Sequence, residues 1–228
     1  MKMIEMCVTD LLKRYAEGER DFNRVKIKPL EWVEFEVGTS LYGAHFHFAD
    51  LSDIRLTGVS LRGCEFIETV MPDEMIGVDL MDSYLQRVNL SGRDLYGANM
   101  VCAKIVGSSL DNANMQKVNM ASAEVQISGF NKTDLRKAQL YNSNIYYTDF
   151  RGADLRDVDI DDITLERNDF CDAKGMRKLI GPGNFGQYVD NQSAPFYVRP
   201  PRTRKLPDKV TAPDSRYNIV NQRAILAR

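Results

Sequence analysis

The chain has 228 residues, of which 43% are apolar and 27% charged, with a formal net charge of −2. That length holds one sizeable domain with or without a tail, and the charge content is that of a soluble protein, which argues against wholesale disorder. No run of 18 apolar residues is present, so no spanning helix is expected, and Met1 to Asp10, which includes Glu5 and Asp10, does not read as a secretory signal.

The first predicted element is a short helix that covers the N-terminal end of the domain. Thr9 or Asp10 can cap it, Leu11, Leu12, Tyr15 and Ala16 form its apolar face, and Gly18 can end it. Phe22, Ile27 and Trp32 then fall five residues apart.

A five-residue period dominates the rest. From Leu80 to Phe170 every fifth residue, 19 of 19, is apolar, and an earlier block, Leu41, Phe46, Leu51, Leu56, Leu61 and Phe66, keeps the same step. Two residues before each of the 19 centres the side chain is Ala, Ser, Thr or Val, except at Arg93, Ile163 and Asn168. Asp or Asn often precedes the centre, as at Asp94, Asn99 and Asp134, and Gly recurs two after it, as at Gly43, Gly58 and Gly97. These residues tolerate positive φ, so each pentad can hold a turn. Five fits neither a helix nor a plain strand. It fits one side of a coil whose centre and preceding small residue point inward.

The pattern, exemplified by Ala98-Asn99-Met100 and Ala153-Asp154-Leu155, resembles the pentapeptide-repeat family over about residues 39–175. The resemblance implies an all-β fold: a right-handed quadrilateral parallel β-helix with four pentads per coil. Residues 20 apart should then stack. One such column reads Leu90, Leu110, Phe130, Phe150, Phe170; another reads Leu85, Ile105, Val125, Ile145, Leu165. Residues 39–172 make roughly seven coils, a rod about 33 Å long at strand spacing.

Two breaks interrupt the period, between Trp32 and Leu41 and between Phe66 and Leu80, each one residue short of a multiple of five. The second contains Pro72, Asp73 and Glu74, and proline cannot donate to a ladder, so a distorted corner or projecting loop is expected there. Arg93, at an otherwise small inward position, is expected to mark a local bulge. The organisation is therefore a capping helix and lead-in at 1–21, a solenoid at 22–175 with irregular stretches at 33–40 and 67–79, and a basic, proline-containing extension at 176–228.

Charge follows this division. Residues 1–38 carry a net −1, residues 39–175 a net −8 and residues 176–228 a net +7. The extension includes Arg199, Arg202, Arg204 and Lys205 among prolines and reads as an extended arm.

No constellation of reactive groups accompanies this architecture. His45 and His47, the only histidines, flank the inward Phe46 and should face solvent, which makes no metal site. The aspartates are read as turn formers rather than acid/base pairs. Gly181 to Gly186 spells GxGxxG but is not followed by a helix-forming sequence, so it is read as a turn. Four cysteines without CxxC spacing suit a reduced, cytoplasmic setting. The expectation is a non-enzyme without cofactor or metal. It binds another protein through the solenoid wall, with Pro72, Asp73, Glu74, Tyr141, Tyr146, Tyr147 and the arm residues Arg199, Arg202, Arg204 and Lys205 as contacts. The resemblance implies two further roles, a DNA mimic that regulates a type II topoisomerase and a homodimer. A third class is nucleic-acid binding by the arm.

Overall fold

The computed structural model describes residues 3–29 and 35–175. Trp32, the GxGxxG segment and the arm lie outside them. Strand β1 (Ile4–Cys7) leads into helix α1 (Val8–Ala16), and β2 (Val25–Lys28) pairs parallel with β1. Six three-residue strands come next: β3 (Glu65–Ile67), β4 (Tyr84–Gln86), β5 (Lys104–Val106), β6 (Glu124–Gln126), β7 (Asn144–Tyr146) and β8 (Thr164–Glu166). They form one parallel sheet in chain order. Columns of isolated parallel bridges, such as Asn99↔Asn119↔Gln139 and Asp94↔Asn114↔Asp134, make the other three sides. The result is a four-sided parallel β-solenoid of about eight turns, with one short helix near its N-terminus. No helix among the described residues is long and apolar enough to cross a membrane.

The pentad chemistry explains the walls. Each centre is buried, and so is nearly every small residue two before it. We number the sides in chain order from the one bearing β3 to β8, so that side one has Phe66 and Ile105 as centres, side two Leu110 and Phe150, side three Met115, and side four Met120. Backbone N–H and C=O groups pair from coil to coil, as in Leu110 N–H to Gly129 O at 2.7 Å and Met120 N–H to Gln139 O at 2.8 Å. This ladder satisfies the backbone of a wall too short for ordinary strands.

Positive φ occurs two residues after the centre, at Gly43, Gly97 and Gly107 and also at Lys117, Lys137, Cys102 and Ile127. The Asp or Asn before the centre does a different job from the one expected. Its side chain accepts the N–H two residues on, as Asp149 does from Arg151 at 2.9 Å and Asn119 from Ala121 at 3.0 Å. Ile127 is the outlier, a β-branched, exposed residue at φ 51°. In the coil above, the same corner is Gly107. Ile127→Gly is therefore expected to raise stability by about 0.5–1 kcal/mol, the left-handed penalty outweighing the entropy cost of glycine. A thermal melt with an unchanged or lower midpoint would contradict this.

The aromatic column is present as expected. Phe130, Phe150 and Phe170 stack at centroid distances of 5.0 and 4.9 Å. A second ladder, Phe22–Phe46–Phe66 at 5.7 and 5.6 Å, stands at the other end on side one. A fixed step of 20 finds Phe46 and Phe66 but conceals Phe22, because the partners Asp21↔His45 are 24 apart. Counting from Phe22 also adds a turn to the seven expected.

That short coil lies at Pro72–Glu74. The period continues to the buried Met71 and resumes at the buried Met75. Bridges Ser60↔Asp79 and Val70↔Asn89 are 19 apart, whereas Glu74↔Asp94 are again 20 apart. One residue is missing from one corner, and Pro72 is buried within the wall. Arg93 sits directly below, where its Nη1 donates to Asp73. Its side chain leaves through the shortened corner, which is why a large residue fits a small position. Asn168, another exception, accepts from Thr148 N–H at 2.8 Å and donates to Ile145 O at 2.9 Å.

At the N-terminal end, β1 adds a rung above β2, and α1 buries Val8 and Leu11 against the core. The helix starts earlier than either Thr9 or Asp10 would place it. Cys7 is the N-cap, its Sγ accepting from Asp10 N–H at 3.4 Å. The burial of Val8 fixes the helical face and carries the first turn back to it. Asp10 in the first turn and Lys13 and Arg14 in the last complement the helix dipole. The turn residue Gly18, at φ 99°, stands just past the C-cap Glu17.

Candidate protein-contact surfaces

The rigid wall fixes outward side chains at the positions before and after each centre and at the corner beyond. Tyr141 is exposed on side four. Tyr146 lies around the corner on side one, partly buried. Tyr147 occupies the next corner, also partly buried, with its hydroxyl accepting from Arg167 Nη1 at 2.8 Å and the guanidinium 5.3 Å from its ring. The three tyrosines thus wrap one coil across two adjoining sides. Asp73 and Glu74 are exposed at the shortened corner between sides two and three, away from that coil, while Pro72 is buried. Arg199, Arg202, Arg204 and Lys205 lie outside the described residues.

Exposed apolar residues that the pattern did not single out include Val37, Tyr42 and Phe48 near the N-terminal end, Val70 and Ile76 beside the shortened corner, and Ile127 on the tyrosine side. Their signal was available, since each stands at an outward pentad position.

Charged side chains on sides two and three form local pairs. Arg136, Arg151 and Arg156 each grip the aspartate two residues back, with Nη2 to Oδ2 distances of 2.6 Å to Asp134, Asp149 and Asp154. The hydrogen bonds from Arg136 and Arg156 hold the Asp134 and Asp154 carboxyls below the usual range despite partial burial. Burial acts the other way on Asp169, and with Asp149 nearby it keeps that carboxyl above the usual range. The signs differ accordingly. Asp134 and Asp154 contribute stability at neutral pH that disappears as pH falls through their depressed pKa values. Asp169 costs stability while ionised, and acidification removes the cost. Asp169→Asn, which keeps an oxygen for the Cys171 N–H, is expected to raise stability at pH 7. The difference should fade on acidification through the carboxylate range. Equal effects at pH 7 and pH 4 in denaturant titrations would refute it.

Nucleophiles and ligands are sparse. His45 and His47 stack at 5.7 Å, and His47 Nε2 lies 3.1 Å from Glu65 Oε2. Burial pushes the Cys64 thiol up to about 12, and it donates to Leu41 O at 3.0 Å, which leaves it inert. Among the described residues, no group of three or more His, Cys, Asp or Glu side chains is placed to hold a metal ion.

The family model described as pentapeptide repeats matches the chain in eight copies over residues 39–71, 79–116 and 130–173. No curated protein matches the chain. Among solved structures, the chain is similar to HetL, a pentapeptide repeat protein involved in heterocyst differentiation regulation in the cyanobacterium Nostoc. That match has 19% identity over 75% of this chain and 93% of that one, with a TM-score of 0.40. A pentapeptide repeat protein of the Arabidopsis thaliana thylakoid lumen is 25% identical over 45% of this chain and 66% of its own, with a TM-score of 0.37. QnrB1, a plasmid-mediated fluoroquinolone resistance protein, is 18% identical over 72% and 92%, with a TM-score of 0.23.

Proposed function

The chain belongs to the pentapeptide-repeat family, and from that premise we propose that it is a non-catalytic scaffold, cytoplasmic, that binds another protein through its solenoid wall. The observation that carries the reading is the set of exposed aromatic and aliphatic side chains, Tyr141 and Ile127 among them, on a backbone fixed in every coil. Such a wall presents contact residues with little ordering cost on binding. Tyrosines on a rigid support are the residue type that anchors interfaces. Asp73 and Glu74, with Pro72 stiffening their corner, and the arm residues Arg199, Arg202, Arg204 and Lys205 are proposed as secondary contacts.

The test is capture from native lysate by the immobilised full chain, followed by binding measurement with the purified partner. Tyr141→Ala should weaken that binding roughly tenfold, in the range of a modest interface anchor. Replacing the four arm residues by Ser should weaken it chiefly at low salt. Absence of any saturable partner would overturn the scaffold reading.

A second reading is DNA mimicry towards a type II topoisomerase, favoured by the acidic half-coil 157–166. Arithmetic limits it. Eight coils span about 38 Å at strand spacing, where B-DNA would carry about 22 charges. Residues 39–175 carry a net −8, and Arg136, Arg151 and Arg156 neutralise their own aspartates. A supercoiling assay separates the two readings, since a mimic must alter the reaction at micromolar protein. Salt-sensitive retention of DNA that disappears with the arm's charges would instead support nucleic-acid binding by the arm.

A further inference from the structure

The solenoid is electrically two-sided, and this division defines a seat. Sides four and one contribute residues 99–108, 119–128 and 139–148 in three successive coils. Those 30 residues contain two charged side chains, Lys104 and Glu124, and they pair at 3.2 Å. Sides two and three of the same region, residues 109–118, 129–138 and 149–158, contain 11. The uncharged half displays Val101, Val106, Ile127, Tyr141 and Tyr146, with Ile127 48% and Tyr141 41% exposed. The coil immediately beyond is its opposite. On the same two sides, residues 159–168 hold Asp159, Asp161, Asp162 and Glu166 against one basic residue, Arg167.

An occupant of this surface needs apolar side chains directly next to a run of positive charge. A second copy does not meet that need. Paired in parallel, it would set the acidic coil against its own counterpart. Paired antiparallel about coil 119–128, it would meet residues 79–88, where Asp79 and Asp82 outnumber Arg87 and Arg87 is already paired with Glu68. The chain itself carries the required order in Phe196-Tyr197-Val198, followed by Arg199, Arg202, Arg204 and Lys205. The described residues end at Gly175, and the 20 residues from 176 to 195 can span up to about 65 Å. The four coils concerned rise only about 19 Å.

We infer that the uncharged half of the wall is the seat of the chain's own segment 196–205, its apolar triplet on the side-one surface of Val106, Ile127 and Tyr146 and its basic run on the acidic residues Asp159, Asp161, Asp162 and Glu166. The inference rests on the reading of this wall as a protein-binding surface and deepens it: the segment competes with the partner, so that partner binding and release of the segment are one event. A tethered segment acts at an effective concentration in the millimolar range, enough for a weak contact to be occupied most of the time.

The test places a photoreactive benzoylphenylalanine at position 127 of the full chain, with a second probe at 146 and a control at Lys137 on the charged half. Mass spectrometry of the monomer should find crosslinks from 127 and 146 to residues 194–207. Their yield should be independent of protein concentration and at least about tenfold above that from 137. The yield should fall when Phe196, Tyr197 and Val198 are changed to Ser. It should also fall in high salt. Crosslinks that grow with concentration and join two copies, equal yields from 127 and 137, or none from either probe would overturn the inference. If those crosslinks fail while the lysate partner still binds in a Tyr141-dependent way, the scaffold reading survives. If they form and no partner binds, that reading falls and the seat stands.

Discussion

Phe150→Ala should destabilise the protein by about 3–5 kcal/mol, the range for emptying a fully packed aromatic site. Phe150 is the middle ring of the C-terminal ladder, 5.0 Å from Phe130 and 4.9 Å from Phe170, and it is buried. Removing it deletes two ring contacts and leaves a cavity that the walls cannot close, because the ladder bonds Phe150 N–H to Asp169 O and Ala153 N–H to Phe150 O fix the backbone around it. Phe150→Leu is the control. Leu90 and Leu110 fill the same column in earlier coils, so this exchange should cost about 1.5 kcal/mol or less. Because each coil touches only its neighbours, the loss should concentrate in the coils around Phe150, which amide exchange can map. Uniform loss of protection along the whole rod, or equal effects of Ala and Leu, would contradict the account.

Ala123→Leu should cost about 1–3 kcal/mol by overpacking, while Ala123→Ser should be nearly neutral. Ala123 is buried in a column of small residues, with Ser83 and Ala103 before it and Ser143 after it. The hydroxyls of Ser83 and Ser143 each donate to the carbonyl three residues back, Leu80 O and Leu140 O, at 2.6 Å. A serine at 123 would find Met120 O in the same relation. A leucine would have to displace the wall itself, since the backbone on both sides is tied into the ladder by Glu124 N–H to Ala103 O at 3.0 Å and Asn144 N–H to Ala123 O at 2.9 Å. Chemical denaturation of the two variants decides the matter, and equal midpoints would refute this explanation of the small residues.

The architecture was legible because the five-residue period states which residues are buried, while the resemblance to the family supplied four pentads per coil. Leu110, Phe130 and Phe150 could be placed inside from spacing, and in one column from the 20-residue step that the resemblance implies. The shortened corner at Pro72 was visible as a lost residue, but not its repair. Only the coordinates bring Arg93 below Asp73, because the pairing depends on a bridge register that changes from 19 to 20 at that corner. The Phe22–Phe46 stack escaped because its rungs are 24 residues apart, and strand β1 because its partner lies across a helix. Contact surfaces were harder to read. Tyr141, Tyr146 and Tyr147 are near in sequence, yet the coil's corner separates Tyr141 from the other two. An outward position specifies only that a side chain meets solvent, whereas an interface requires several such positions to share a surface.

The two phenylalanine ladders stand at opposite ends of the rod, with leucine, methionine and isoleucine filling the waist between Leu80 and Met120. A stack of rungs is most vulnerable where it has a neighbour on one side only, and unzipping begins there. Broad rings interlocked over three consecutive rungs make each terminal turn costly to peel away, while interior turns already have company above and below. The sorting of aromatics thus acts like binding at both ends of a rope, holding the outermost strands so that the middle can be made of softer stuff.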